Sequence, residues 1–386
     1  MRERTPHWPR ATLVPPSTAY LNMSHTAFEP HTLGRVTLSN HIVMAPMTRS
    51  RALGNVPNAM MAEYYGQRAS AGLIITEGTS PAPEGLGYSR IPGLYAQAQV
   101  AGWTLVTKAV HAQGGHIFVQ LMHTGRVFHP LNLPKGAEGV APSAVAAAGM
   151  MWTDEQQMQP QPTPRALRTD ELNTVRDAFV RSAKLAMDAG FDGVELHGAN
   201  GYLLEQFLHP QSNQRTDEYG GSVKNRARFV LDVVRGVADA IGADRTGIRI
   251  SPWGVAGDMP HYAEIDETYA YLAEELQTLG IAYVHLVNHE SMGAPALPAL
   301  TVATIRAAFT NTLILSGGFT TLDAINGTLR AGHADLVAVG RPFLANPDLV
   351  ARLKAGLPLA APDSATFYAP GPKGFAQGYT DYPTAA

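Results

Sequence analysis

Short apolar stretches recur eight times along the chain, and each is followed by a segment with helical character. Continuous apolar strands that alternate with helices are typical of a parallel sheet covered on both faces. Eight such units predict a closed (β/α)₈ barrel, the TIM barrel fold. The predicted strands are residues 42–47, 73–78, 116–121, 193–197, 247–252, 283–288, 313–317 and 336–340.

Two of the predicted helices have clear ends. Residues 169–172 predict a capped helix start, and apolar residues then recur at helical spacing as far as Gly190. Residues 266–279 show the same pattern before Gly280. A doubly wound sheet is the competing architecture, but it usually has fewer repeats and a glycine-rich turn after its first strand, where this chain has residues 45–49 without glycine. We therefore predict a single-domain barrel.

Two long segments are expected on the side of the barrel where the strands end. Residues 124–168 are rich in Pro, Gly and Gln, which predicts an inserted hairpin or lid after strand three. Residues 213–225 are dense in polar side chains and predict a structural loop behind strand four. Residues 1–25 have no apolar core of signal-peptide length, so we expect a disordered N-terminal extension ahead of a barrel over residues 26–386.

The composition removes several classes of function. A net charge of -3, from 29 basic and 32 acidic residues without long runs, gives no electrostatic basis for binding nucleic acid. The absence of cysteine excludes disulfides, iron–sulfur ligation and thiolate zinc sites. We assign no metal, because no metal-ligand pairing at helical or hairpin spacing is found for His123, His209, His285 and His289. The longest weakly polar stretch, residues 139–152, is too short to span a bilayer, and we expect no membrane partner.

His197, Asn200 and Tyr202 lie where the fourth predicted strand gives way to a helix. An imidazole and a carboxamide supply two neutral hydrogen-bond donors that can bind one oxygen, and the nearby phenol can supply a proton. That combination suits an electron-poor substrate whose carbonyl or nitro oxygen is polarised while a carbon is protonated. Taken without context, His and Asn at this spacing are more often a structural pair.

The last two predicted strands both end in glycine-containing loops, with Gly317 and Gly318 after strand seven and Gly340 and Arg341 after strand eight. In barrels these two loops commonly bind a phosphate through backbone N–H groups. Glycine allows close approach of the backbone, and an arginine can pair with two phosphate oxygens. The alternative is two ordinary glycine turns and a surface arginine.

Barrel enzymes act at the carboxyl ends of the strands, which makes the strand-end residues candidates. These are Thr48, Gly78, Gln120, His197, Arg249, Asn288, Gly317 and Arg341. Arg249 lies in an otherwise apolar strand, so it either forms a buried salt bridge or faces an anionic cofactor. Together with the amide of Gln120 and the phosphate loops, these side chains fit flavin mononucleotide (FMN) better than a simple phosphorylated metabolite.

The chain resembles the old yellow enzyme family of FMN-dependent ene-reductases, in particular the bacterial branch that includes N-ethylmaleimide reductase and pentaerythritol tetranitrate reductase. The resemblance runs from about residue 28 to residue 382. It is carried by MAPMTR at 44–49, EYY and QRA at 63–65 and 67–69, VQL at 119–121, HTGR at 123–126, VELHGANGYLLEQF at 194–207, residues 212–228, GRP and ANPDL at 340–342 and 345–349, and GYTDYP at 378–383.

The resemblance implies a set of cofactor-binding residues. Ala45, Pro46 and Met47 would lie along the flavin, and Thr48 and Gly78 would contact its O4 edge. Gln120 would bind the pyrimidine edge, and Arg249 would stabilise negative charge near N1 and O2. The phosphate would be bound by Gly317, Gly318, Gly340 and Arg341.

The resemblance also implies the residues that bind substrate. His197 and Asn200 would bind the substrate oxygen, Tyr202 would protonate the α-carbon, and Tyr88, Met122 and Tyr368 would line the pocket; Phe319 could line the pocket or belong to the core. Relatives commonly carry Trp where this chain has Met122, so a roomier pocket is expected. Close bacterial relatives often carry His where this chain has Asn200, and either side chain donates a hydrogen bond.

The implied activity is that of a cytoplasmic enzyme, monomeric or homodimeric, that reduces the C=C bond of activated alkenes such as enones, enals, maleimides and nitroalkenes. NADH or NADPH would deliver hydride to flavin N5 and leave, and the alkene would then accept hydride in the same space. The same site could reduce nitrate esters or nitro groups instead. A hypothesis of another class is a flavin-binding protein without turnover, although a proton donor argues against it.

Overall fold

The computed structural model describes residues 26–290 and 293–385, so the predicted extension over residues 1–25 lies outside the described residues. The first element is an antiparallel hairpin of β1 (His31–Leu33) and β2 (Val36–Leu38). Gly34 turns this hairpin at φ 54°, and a side chain there would meet the Asp244 carbonyl oxygen at 1.9 Å, so only glycine fits. The hairpin leucines pack with apolar residues at the starts of the barrel strands and close that end of the barrel.

The predicted (β/α)₈ barrel is confirmed, because eight parallel strands form a closed barrel in chain order. The barrel strands are β3 (Ile42–Met44), β4 (Leu73–Ile75), β5 (Ile117–Leu121), β10 (Gly193–Gly198), β11 (Thr246–Ile250), β12 (Tyr283–Val287), β13 (Thr312–Ser316) and β14 (Leu336–Val339). The first two predicted strands are too long by three residues each, because the chain leaves the sheet after Met44 and Ile75. The sequence stays apolar over residues 45–47, whereas residues 76–78 are Thr, Glu and Gly.

Helices surround the barrel on its outer side. They are α1 (Ala59–Gly66), α2 (Gln97–His111), α3 (Leu172–Asp188), α4 (Leu203–Leu208), α5 (Val223–Ile241), α6 (Ile265–Leu279), α7 (Ala299–Ala308), α8 (Leu322–Arg330), α9 (Arg341–Ala345) and α10 (Leu349–Ala355). None of the helices in the described part of the chain has the length and apolar character needed to cross a membrane.

The two helices with predicted ends are α3 and α6. Helix α6 ends before Gly280, which adopts the left-handed conformation predicted for a helix stop. Helix α3 buries the expected apolar residues, but the predicted cap at Thr169 is wrong in detail. Residues 169–171 form a separate 3₁₀ turn, in which Glu171 accepts from the Arg168 N–H at 2.8 Å and the Thr169 hydroxyl donates to Asp217 at 2.6 Å.

The predicted hairpin insertion is present after the third barrel strand. It contains β6 (Val140–Ala141), β7 (Met150–Thr153), β8 (Gln157–Pro160) and β9 (Arg165–Ala166), with β7 and β8 antiparallel. Asn132 donates to the Trp152 carbonyl oxygen at 2.8 Å, and Arg90 forms an ion pair with Asp154. These contacts hold the hairpin next to the loop that carries Tyr88.

The polar loop over residues 213–225 has the structural role that its composition predicts. The Asn213 amide donates to the carbonyl oxygens of Phe207 and Tyr219 at 2.7 and 2.8 Å. Arg215 donates to the Pro142 carbonyl oxygen at 3.2 Å in the hairpin insertion. The loop therefore ties the end of α4 to the insertion.

Three buried arginines hold the C-terminal segment, from Phe343 onward, against the loop and helix that follow β3. Arg49 donates to the Gly378 carbonyl oxygen at 2.7 Å, and Arg51 donates to that of Thr366 at 2.8 Å. Arg68 donates to the Phe343 carbonyl oxygen at 2.9 Å, at the start of this segment. Charge-assisted hydrogen bonds of this kind are among the stronger ones in proteins, so they fix the position of the chain that carries Tyr368.

Candidate active site

His197 lies near the end of β10 and pairs in register with Arg249 on β11. Its Nδ1 accepts a hydrogen bond from the Ala199 N–H at 3.3 Å, so the ring proton is on Nε2. Burial, with a smaller effect of the Arg249 charge, lowers the pKa of His197 well below its usual value. His197 is therefore a neutral imidazole at physiological pH and presents Nε2–H as a donor.

Asn200 follows in the turn after β10 with φ 60°, a left-handed conformation that asparagine adopts more readily than most residues. The Ser251 hydroxyl oxygen accepts from its backbone N–H at 3.0 Å, which holds the turn. Its Nδ2 lies 3.5 Å from His197 Nε2, and its Oδ1 lies 2.8 Å from His289 Nε2. We call His197 Nε2 and Asn200 Nδ2 the donor pair, because one oxygen can accept from both.

Tyr202 lies beside the donor pair. Its ring meets that of His197 edge to face with centroids 4.9 Å apart, and its hydroxyl lies 3.0 Å from that of Tyr88. Burial, with a smaller contribution from Tyr88, raises the pKa of Tyr202 well above its usual value. The phenol therefore stays protonated at physiological pH, as a proton donor must.

A buried polar layer crosses the barrel interior next to these residues. The Gln120 amide donates to Glu195 Oε1 at 2.7 Å, and Glu195 Oε2 lies 2.9 Å from His285 Nδ1. All three side chains are buried. Because the Gln120 nitrogen is held by Glu195, the amide orientation of Gln120 is fixed.

Arg249 is buried in the same layer, where burial lowers its pKa. Its Nη2 has a long contact of 3.4 Å with the Ser316 hydroxyl oxygen, and its Nε has no hydrogen-bond partner among the described residues. No carboxylate of residues 26–290 and 293–385 forms a salt bridge with it. The buried salt bridge, one of two interpretations of Arg249, is therefore not seen, and the guanidinium keeps donor capacity for an anionic group.

The two glycine loops are neighbours, because β13 and β14 pair in the barrel. Gly317 has φ 142°, and a side chain there would meet the Asn288 carbonyl oxygen at 2.6 Å. Gly318 has φ 74°, and Gly340 stands before Arg341, the exposed first residue of α9. The structure thus brings the four predicted phosphate-binding residues to one edge of the barrel. The strand-end candidate Asn288 instead accepts at its amide oxygen from the backbone N–H groups of Glu290 and Leu297.

The predicted flavin-facing segments also come together. The Ala45 N–H donates to the Val339 carbonyl oxygen at 3.0 Å, which sets the loop of residues 45–48 beside Gly340. Within that loop Ala45 and Pro46 are buried, whereas Met47 and Thr48 are half-buried. Gly78 follows the neighbouring strand β4, and a Cβ atom on it would lie 2.4 Å from the Met122 sulfur, so Met122 packs directly against Gly78.

The predicted pocket-lining residues differ in exposure. Met122 is 1% exposed and packs with Leu86 and Ile91 beneath Tyr88 and Tyr202. Tyr368 is 60% exposed, on the segment held by the buried arginines. Phe319 is half-buried and packs against the main hydrophobic core. Tyr88 is thus a lining residue that is hydrogen-bonded to Tyr202.

Comparisons with known proteins decide the family. A family model described as NADH:flavin oxidoreductase / NADH oxidase matches residues 26–360. A solved structure of an old yellow enzyme homologue from Zymomonas mobilis superposes with a TM-score of 0.87 at 40% identity, covering 93% of this chain and 99% of that one. The chain belongs to the old yellow enzyme family. It is accordingly an oxidoreductase that depends on FMN.

Two further members of the old yellow enzyme family are closely similar. A protein of Leishmania infantum described as a probable flavin mononucleotide-dependent alkene reductase is 42% identical over 360 residues, with 92% of this chain and 96% of the relative covered. A structure of morphinone reductase in complex with tetrahydroNAD has a TM-score of 0.88 at 43% identity, covering 94% of this chain and 98% of that one. The reductant of this family of flavoproteins is a nicotinamide.

The residues present fit FMN. Arg249 has an unpartnered buried Nε, and the oriented Gln120 amide lies in the same polar layer. Gly340 is not crowded, since a Cβ atom on it would lie in ordinary contact at 3.6 Å from the Met47 sulfur. A buried cation and a fixed amide suit a flavin ring that gains negative charge, and the glycine loops suit the phosphate at the end of its side chain.

Sequence reasoning missed three residues of the site: Glu195, Ser251 and His289. Glu195 could have been found, because a carboxylate inside an apolar strand raises the same question as Arg249. His289 lacks metal-ligand spacing and so gives no sign of its role, and Ser251 carries no sequence signal. Their contacts with Gln120 and Asn200 join residues that are 51 to 89 positions apart.

Proposed function

We propose that this enzyme reduces the C=C bond of activated alkenes, such as enones, enals, maleimides and nitroalkenes, at the expense of NADH or NADPH. The observation that carries the proposal is the donor pair, two neutral N–H groups 3.5 Å apart beside a protonated phenol. Such a site binds an oxygen that gains negative charge and supplies a proton nearby. The name of the alkene reductase relative agrees with this proposal.

The cofactor is held noncovalently by residues at the strand ends. The ring would be held along one side by Ala45, Pro46 and Met47 and at its O4 edge by Thr48 and Gly78. Its pyrimidine edge would be bound by Gln120 and Arg249. The phosphate is bound by Gly317, Gly318, Gly340 and Arg341. Each assignment follows the family resemblance and is supported by the positions of these residues around one end of the barrel.

Bound FMN supplies hydride transfer from the nicotinamide to the β-carbon of the alkene. His197 and Asn200 bind the carbonyl or nitro oxygen of the substrate and stabilise the negative charge that develops on it. Tyr202 donates its proton to the α-carbon. Tyr88 then stabilises the Tyr202 phenolate by donating a hydrogen bond across the 3.0 Å between the two hydroxyl oxygens.

The donor pair also favours a second candidate within the same site. A nitro group or nitrate ester offers the same kind of oxygen, so reduction of these groups is the alternative activity. A flavin-binding protein without turnover is less well supported, because binding alone does not require a phenol whose pKa is raised beside the donor pair. The substrate pocket is lined on the side of Tyr202 by Tyr88, Tyr368 and Met122, which limit the size of the substrate.

Titration with p-chlorophenol tests the proposal, because a phenolate mimics the developing oxyanion and its absorbance over the flavin reports binding. His197→Ala and Asn200→Ala should each weaken binding by about 1–3 kcal/mol, roughly 5- to 150-fold. The exposed His333→Ala variant is the control and should bind like the parent. Unchanged phenol affinity in both His197→Ala and Asn200→Ala would contradict the proposed role of the donor pair. Alkene reduction with NADPH is assayed directly as a second measurement.

A further inference from the structure

We infer that His289 is a positioning residue that fixes the orientation of the Asn200 carboxamide, so that Nδ2 rather than Oδ1 faces the substrate oxygen. The inference rests on the proposed function, because it concerns the same oxygen-binding site. His289 follows β12, two residues beyond Val287, and is 4% exposed. Its Nε2 lies 2.8 Å from Asn200 Oδ1.

The protonation of His289 follows from its surroundings. Its Nδ1 is buried without a hydrogen-bond partner among residues 26–290 and 293–385. A proton on Nε2 leaves only a lone pair unpaired at Nδ1, whereas the other tautomer would bury an unpaired N–H. Burial, with a smaller effect of Arg249, lowers the pKa of His289 to about 4, so the ring is neutral. His289 Nε2–H therefore donates to Asn200 Oδ1.

The orientation of this amide matters because the oxygen and nitrogen of a carboxamide occupy nearly equivalent positions. Rotation by a half turn would present Oδ1, an acceptor, to a substrate oxygen that needs a donor. Ser251 accepts from the Asn200 backbone N–H and Glu205 accepts from that of Gly201, and neither contact reaches the amide. Among the described residues, His289 is the one that donates to Asn200 Oδ1. It thereby keeps Nδ2 directed at the substrate, so that the site binds substrates with an oxygen acceptor.

The experiment measures p-chlorophenol affinity on FMN-loaded enzyme for the parent and for His289→Phe and His289→Gln, each also in an Asn200→Ala background. Phe keeps ring size without a donor, and Gln keeps an N–H donor. Loss of one net hydrogen bond should weaken phenol binding about 3- to 10-fold in His289→Phe. His289→Gln should restore affinity to within about 3-fold of the parent. In the Asn200→Ala background neither substitution should matter.

An equal loss in the Asn200 and Asn200→Ala backgrounds would overturn the inference, because a general structural effect of His289 does not depend on the amide. Unchanged affinity in His289→Phe would overturn it as well. Parent enzyme that binds no phenol would instead refute the proposed function. Flavin content is measured for every variant, and if His289→Phe loses FMN the comparison uses His289→Asn, which is too short to reach Oδ1 and adds no bulk.

Discussion

The hydroxyl oxygens of Tyr88 and Tyr202 lie 3.0 Å apart, and their rings meet edge to face with centroids 6.2 Å apart. The two residues come from loops after different strands and are 114 positions apart in sequence. Burial raises the pKa of both phenols, and the hydrogen bond between them adds to this effect at Tyr202 and opposes it at Tyr88. In the proposed mechanism the two residues have different tasks, proton donation for Tyr202 and stabilisation of its phenolate for Tyr88.

Replacement of Tyr202 by Phe should leave flavin content and reduction by NADPH intact. Reduction of a simple enone such as cyclohexenone should slow by about 10²–10⁴-fold, the usual contribution of a positioned general acid. Tyr88→Phe is the matched variant and should slow the reaction by a much smaller factor, because the proton donor remains. Stopped-flow absorbance of the flavin measures both steps. Enone reduction by Tyr202→Phe at the parent rate would show that Tyr202 lines the pocket without donating the proton.

The buried carboxyl of Glu205 should make stability depend on pH. Burial raises the pKa of Glu205 from its usual value to about 7 although Ser251, Gly201 and Tyr269 donate to it. Because the folded pKa lies above the unfolded one, its contribution to stability is present below about pH 4.5 and is lost as the pH rises through 7.

The test of this dependence compares parent and Glu205→Gln in urea unfolding at several pH values. From pH 5 to pH 8 the parent should lose up to about 3 kcal/mol relative to Glu205→Gln, which cannot ionise. The exposed Glu274→Gln variant is the control and should follow the parent. A constant difference between parent and Glu205→Gln would show that Glu205 does not titrate in this interval.

Arg341 should contribute strongly to cofactor affinity. Loss of a bidentate, charge-assisted contact to the phosphate in Arg341→Ala should weaken FMN binding roughly 10- to 100-fold or more. Arg330→Ala, an exposed arginine at the end of α8, is the matched control. FMN released on dialysis is measured by its absorbance. If dialysed Arg341→Ala keeps stoichiometric FMN, the phosphate is not bound by Arg341.

Met122→Trp tests the pocket beside Gly78. Because the methionine sulfur already occupies the space next to Gly78, the larger indole should displace Tyr88 or extend toward the substrate. The enantiomer ratio of products from bulky β-substituted enones should change, while flavin reduction by NADPH stays within about 2-fold. Met122→Leu keeps the volume and should behave like the parent. Identical enantiomer ratios for parent and Met122→Trp with several substrates would show that Met122 does not line the pocket.

The fold and the cofactor set were determined by the sequence itself. Eight apolar runs identified the barrel, because strands buried on both faces cannot alternate with polar residues. The same runs located His197, Gln120 and Arg249 at strand ends, and the resemblance identified FMN. The ends of the first two strands were misplaced; after the first strand, the apolar loop residues 45–47 resemble strand residues.

The tertiary structure decided how those residues act. Within the described part of the chain it left Arg249 without an ion pair, packed Met122 beneath Tyr88, and placed His289 next to the amide oxygen of Asn200. Strand register and loop geometry set these contacts between residues far apart in the chain, and hydrogen bonds to Ala199 and Asn200 set the histidine tautomers. Local sequence pattern carries no information on either, because both depend on which distant groups come within hydrogen-bonding distance.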